Sequence, residues 1–339
     1  MRSTRTLAAM AVLALAGAVF RPGPQVARAE PVLDLVTGLG DPMGVAVDTA
    51  NLRIYWADED WGTISRASLD GSGVETLVGG LDDPFGIALD VPGGKMYWTE
   101  EGSECIRRAN LDGSGVERLV GGLDEPMGIA LDLAGGKMYW TDEDWGTIHR
   151  ANLDGSGVET VLGGLDDPIA IALDLPGGKM YWTDEGTESI LRANLDGSGV
   201  ERLVGGLDEP MGIALDLVDG KMYWTDEGSE SVGRANLDGS GVETLVTGLD
   251  DPVGIAAGRV ANHPLSGAPL DYPIAGIVWT DEDEDKIQGL VFDADVLTDA
   301  VGGAAVSSDA QANPEPGTLA LCAVGAVVLV CFAQRRRRG

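Results

Sequence analysis

Lys137-Met138-Tyr139-Trp140-Thr141-Asp142 is one of six copies of a Tyr-Trp-Thr-Asp motif, and the spacing of the copies decides the fold. Trp56, Trp98, Trp140, Trp182 and Trp224 stand 42 residues apart, and a sixth copy, Val278-Trp279-Thr280-Asp281, follows after 55. Beside them run six acidic-Pro turns, at Pro42, Pro84, Pro126, Pro168, Pro210 and Pro252. A fixed period of this length means one supersecondary unit stacked on copies of itself.

The second repeat shows what the unit is. Residues 86–90 form a short apolar run, and Val91-Pro92-Gly93-Gly94 reads as a turn. Lys95-Met96-Tyr97-Trp98-Thr99 alternates and is rich in residues that suit a pleated strand. An acidic loop at 100–104, a third strand at 105–111, an Asp112-Gly113-Ser114-Gly115 turn and a fourth strand at 117–120 follow. One four-stranded antiparallel sheet cannot bury both faces. Packed radially against its neighbours it can, and closing the ring leaves only short edges. Six motifs therefore predict an all-β, six-bladed propeller over residues 30–303. The segment Val32-Leu33-Asp34-Leu35-Val36 precedes the first Pro turn and is predicted to complete blade six; residues 296–301 compete for that place.

Tyr-Trp-Thr-Asp followed by Ile-x-Arg-Ala-Asn-Leu-Asp-Gly resembles the YWTD, or class B, repeat of the low-density lipoprotein receptor family. The resemblance runs from about residue 35 to 292 and implies a six-bladed propeller. The chain departs from the pattern at Ala57 (for Thr), Glu100 (for Asp), Val278 (for Tyr) and Gly289, where the other repeats hold Arg66, Arg108, Arg150, Arg192 and Arg234.

The 339 residues carry a formal charge of −32. Without the eight arginines of the two ends, 15 basic residues face 55 acidic ones, −40. Such a body repels nucleic acid and anionic lipid, and attracts cations and basic partners. Cys105 is the one cysteine of the repeat region, so no disulfide forms within it. Its slot holds Ser189 and Ser231 elsewhere, which predicts a small packed residue rather than a reactive thiol.

Both ends look like addresses. A basic start, an apolar run at 7–20 and Ala27-Arg28-Ala29 make a secretory signal over residues 1–29, cleaved after Ala29. At the other end, Pro314-Glu315-Pro316, an apolar run at 318–333 and Arg335 to Arg338 follow a small, polar linker at 304–313. Residues 314–338 closely resemble the bacterial PEP-CTERM sorting tail. The resemblance implies a membrane helix and a sorting protease (exosortase) that cuts near Pro314 to Pro316. Sixteen helical residues span ~24 Å, marginal for a ~30 Å hydrocarbon core. The arginines would hold the tail's end in the cytoplasm and place the propeller outside, anchored or released at the cell surface.

Up-and-down strands put the loop entering the first strand and the loop leaving the second on one face. Those loops carry most of the acid, from Asp58-Glu59-Asp60 to Asp281-Glu282-Asp283-Glu284-Asp285. Asp41, Asp83, Glu125, Asp167, Glu209 and Asp251, each just before Pro, should ring the channel mouth. Such a ring could hold a hard cation such as Ca²⁺. Alternatively, each acid accepts loop N–H groups and shapes its turn. The repeated Arg is expected beside the preceding Trp or Asp, in an inter-strand ion pair or cation–π contact rather than in ligand binding. His149 is expected in a surface slot, and the insertion 258–275 on the opposite face as a Pro-stiffened loop or, alternatively, a specificity element.

Catalysis finds little support: no Ser-His-Asp or Cys-His pairing is evident, and near-identical blades leave few unique residues. The residues read best as a binding scaffold for a basic protein or an envelope or matrix ligand. The alternative is a cation-dependent, lactonase-like hydrolase, since some six-bladed propellers are calcium-dependent lactonases.

Overall fold

The computed structural model describes residues 32–262, 269–292, 322–324 and 327–329. Six four-stranded antiparallel sheets follow the six repeats. Blade three is representative, with strands Pro126–Asp132, Lys137–Asp142, Thr147–Asn152 and Glu159–Gly163 from the axis outward.

Two adjacent aromatics per repeat make the ring possible. A strand turns successive side chains to opposite faces, and here both faces are buried. Tyr97 of blade two packs with Met138 and Trp140 of blade three. Tyr139 packs with Met180 and Trp182, and Tyr181 with Met222 and Trp224. The chain of contacts closes through Val278 of blade six against Ile54 and Trp56 of blade one. The blades also approach closely near the axis. A Cβ at Gly86 would lie 2.5 Å from the Met127 carbonyl oxygen of the next blade, so that slot demands glycine.

Leu33–Thr37 completes blade six as its outermost strand, antiparallel to Lys286–Phe292. The competing segment, 296–301, lies outside the described residues. This closure explains why blade six departs from the repeat. A Cβ at Gly289 would lie 3.1 Å from Leu35 Cδ1, so Leu35 fills the room that an Arg needs in the other blades. Gln288 Nε2 donates to Asp34 Oδ1 at 2.8 Å across the same seam.

Three expectations need correction. The insertion in blade six is no simple loop: it lengthens the first two strands to Pro252–Asn262 and Pro269–Asp281, and 263–268 lies outside the described residues. Arg259 on this extension is clamped by Asp216 and Asp219 of blade five. His149 is buried rather than exposed, because its ring stacks on Trp140 at 5.4 Å. The repeated Arg lies over Tyr, not Trp or Asp. Arg108 sits 5.6 Å from the Tyr97 ring centroid, because Tyr97 is directly opposite it in the ladder.

The expected membrane helix at 318–333 falls largely outside the described residues. The two described pieces, Cys322–Val324 and Val327–Leu329, pair instead as antiparallel strands, in keeping with their valine content. Among the described residues no helix is long and apolar enough to cross a membrane. The signal segment 1–29 and the Pro314-Glu315-Pro316 motif also lie outside them.

Candidate functional site: the acidic face

Five of the six blades fold their acidic loop by the same device. The motif Asp ends the second strand and is buried, and its carboxylate accepts N–H groups from two loops at once. Gly40 and Trp61 donate to Asp58 at 3.0 and 3.1 Å. Asp124 and Trp145 donate to Asp142 at 3.2 and 3.4 Å. Burial pushes Asp142 and Asp281 up to about 6 despite these bonds. In blade two the longer Glu100 does something else. It accepts from the Trp98 indole at 2.8 Å and pairs with Arg107 at 2.8 Å.

The residue after the motif acid is Glu in all six repeats: Glu59, Glu101, Glu143, Glu185, Glu227 and Glu282. Each donates its N–H to the carbonyl of the pre-proline acid of its own blade, from Glu59 to Asp41 at 2.8 Å to Glu282 to Asp251 at 3.1 Å. The two sets of six therefore interleave around one mouth. All six glutamates are half-buried. Burial, and then repulsion by neighbouring carboxylates, pushes Glu59, Glu143, Glu227 and Glu282 up to about 7. The same causes raise Glu101 and Glu185. For Glu143 the repelling charges are Glu125, Glu185, Asp167 and Glu101, members of both rings on either side.

Each of the six pre-proline residues directly precedes the inner strand of its blade. Asp83, Glu125, Asp167, Glu209 and Asp251 adopt positive φ, between 49° and 59°. That conformation is costly for a residue with a Cβ, and the bond from the next loop's Glu N–H holds it. The six carboxylates do not converge on one point. Among the described residues, the acids whose ligand atoms lie within 4.8 Å of one another are Asp250, Asp251 and Asp283. Asp251 alone of the six belongs to such a group.

Directly below the mouth the channel is apolar. Met43, Phe85, Met127, Ile169, Met211 and Val253, each the residue after the turn Pro, form one cluster on the axis. A cavity of about 110 Å³ borders this plug, lined by glycines such as Gly86 and Gly128 and by Ile87, Ile129 and Ile171. The carboxylates therefore face outward over a hydrophobic floor, a surface suited to holding cationic groups rather than to drawing an ion into a deep polar channel.

Sequence reasoning missed the glutamate ring and the plug. Both had a signal: a Glu in one slot of all six repeats, and an apolar residue after every turn Pro.

Residues 178–217 and 220–256 match the model of the low-density lipoprotein receptor repeat class B family, so the chain carries repeats of that class. A chain in the crystal structure of the nidogen/laminin complex is similar at 28% identity and a TM-score of 0.58, over 63% of this chain and 84% of that one. A gluconolactonase from Xanthomonas campestris shares the fold at 17% identity and a TM-score of 0.62, over 77% and 89% of the two chains. A Bacteroides thetaiotaomicron protein of unknown function does so at 16% identity and a TM-score of 0.60, over 77% and 76%. No curated protein matches the sequence.

Proposed function

We propose that this propeller is an exported binding module whose acidic face holds a basic protein or envelope ligand. The double carboxylate ring carries the reading. Glu59, Glu101, Glu143, Glu185, Glu227 and Glu282 are pressed together at a cost in self-repulsion that a cationic partner relieves. Likeness to a propeller seen in a nidogen/laminin complex supports protein binding. The signal ending at Ala29 and the Pro314-Glu315-Pro316 tail support export and sorting by an exosortase-type protease at the cell surface.

A second reading, a cation-dependent hydrolase, is favoured by one observation, the Asp250, Asp251 and Asp283 group. Three carboxylates supply part of the six to eight oxygens that Ca²⁺ takes. The apolar plug leaves little polar surface beside them for a reaction centre.

The mature protein, immobilised and challenged with basic, neutral and acidic envelope proteins at rising salt, tests the binding reading. Selective retention of basic ligands that weakens with salt is expected. Equal retention of all three classes would refute it. Lactone turnover that needs Ca²⁺ and disappears in Asp83→Ala or Asp251→Ala would reverse the ranking.

A further inference from the structure

Two tryptophans stand exposed on the acidic face, Trp61 at 53% and Trp145 at 47%. They occupy one slot, three residues after the motif Asp, in blades one and three. The other blades place Ser103, Thr187, Ser229 and Glu284 there. Both indoles are held from behind. Trp61 lies against Gly40, where any Cβ would come within 2.9 Å of its Cδ1. The five other blades carry Asp in the Gly40 slot, Asp124 of blade three among them, so this backing belongs to Trp61 alone. Trp145 meets the ring of His149 edge-on at 5.7 Å, and His149 in turn stacks on the buried Trp140. The His149 ring nitrogens contact the hydroxyls of Thr147 and Thr160 at 2.7 and 3.3 Å. The buried histidine is therefore a wedge behind the exposed indole of blade three, while blade one has Ser65 in the same slot.

Rigid, half-exposed indoles are fitted to contact a partner at low entropic cost. Their surroundings select which partner. Each follows directly on carboxylates, Glu59 and Asp60 or Glu143 and Asp144. An anionic ligand is repelled there, and a neutral sugar, although its hydroxyls donate to carboxylates, gains nothing from the long-range field of the acidic face. A guanidinium satisfies both features, because its plane stacks on an indole while its edge forks a carboxylate.

We propose that Trp61 and Trp145 are paired stacking platforms for arginine side chains of a basic protein segment lying across blades one to three. This deepens the binding reading above and rests on it. The platforms flank blade two, so a segment that engages both must cross that blade.

An arginine-rich peptide, a lysine-rich peptide of equal charge and a neutral peptide, titrated into the mature protein, test it. The arginine peptide should bind more tightly than the lysine peptide and alter the exposed-indole fluorescence. Trp61→Ala and Trp145→Ala should each weaken binding about three-fold, and the double variant about ten-fold. The salt slope should stay that of the unaltered protein, since no charge is lost. Trp61→Phe should retain part of the affinity, and unchanged melting temperatures would show that the fold is intact. Equal affinity of the double variant for the arginine peptide would overturn the platforms and leave the acidic-face reading standing. Failure of both basic peptides to bind the unaltered protein would overturn the two together.

Discussion

The Thr280 hydroxyl donates to the Met43 carbonyl at 2.7 Å, joining blade six to blade one across 237 positions of the chain. The same hydroxyl accepts the Gly254 N–H at 2.7 Å. Thr99, Thr141, Thr183 and Thr225 make the equivalent pair of bonds, each reaching a carbonyl 28 residues on in the next blade. Ala57 has no hydroxyl, so the junction of blades one and two lacks the bridge.

Thr280→Val should therefore destabilise the propeller by about 1–2 kcal/mol, because it strands a buried donor and acceptor while keeping volume. Ala57→Thr should stabilise by up to about 1 kcal/mol by adding the missing bridge in a slot that five other blades fill with Thr. Urea melting of both variants measures this. A neutral Thr280→Val would mean the bridges do not secure the ring.

Closure by the N-terminal strand predicts where the molecule opens first. Val36 is buried in the cluster that holds Trp56 and Val278. Val36→Asp buries a charge without a partner and should expose blade six to protease before any other blade. Peptide mapping of early cleavage products reads the outcome. First cuts in blades two to five would contradict it.

The arginine column predicts a contrast between two partners. Arg108 donates to the Leu153 carbonyl of the next blade at 2.9 Å and lies over Tyr97. Its ion pair with Glu117 is half exposed. Arg108→Met should cost about 1–2 kcal/mol through the stranded carbonyl and lost stacking. Glu117→Gln should change stability by less than about 0.5 kcal/mol, as an exposed pair does. Equal effects would show that the ion pair, not the inter-blade bond, matters.

The glutamate ring makes stability fall as pH rises. Carboxyls near 7 in the folded state keep protons that the unfolded chain has lost above its ordinary value of 4.5. Stability is thus lost as pH climbs through that window and regained on acidification from pH 8 to 6. The melting temperature should be higher at pH 6 than at pH 8. Glu143→Gln should narrow the difference, by roughly 0.5 kcal/mol after allowance for solvent screening. A melting temperature that drops on going to pH 6 would rule out the crowded ring.

Much of this was legible in the repeat. The interval between Trp56 and Trp224 sets the number and order of the strands, and the Val32 to Val36 run announces the strand that closes blade six. Alternation at Met138, Tyr139 and Trp140 already implies a sheet buried on both faces. The departures Gly289 and Val278 were visible too, but their cause was not, because Leu35 and Trp56 reach those places only after the ring has closed.

The linear order of residues was enough to determine a wheel of six like units with its acids on one side, because period and alternation are properties of a single unit. What only the tertiary structure decided were the relations between units. These are the interleaving of Glu143 with Glu125 and Asp167, the plug around Phe85 and Ile169, the seam at Ala57, and the burial of His149 beneath Trp145. Each joins residues from different strands or different blades. A distance of that kind is set by how the sheets pack and close, not by any local preference of the chain.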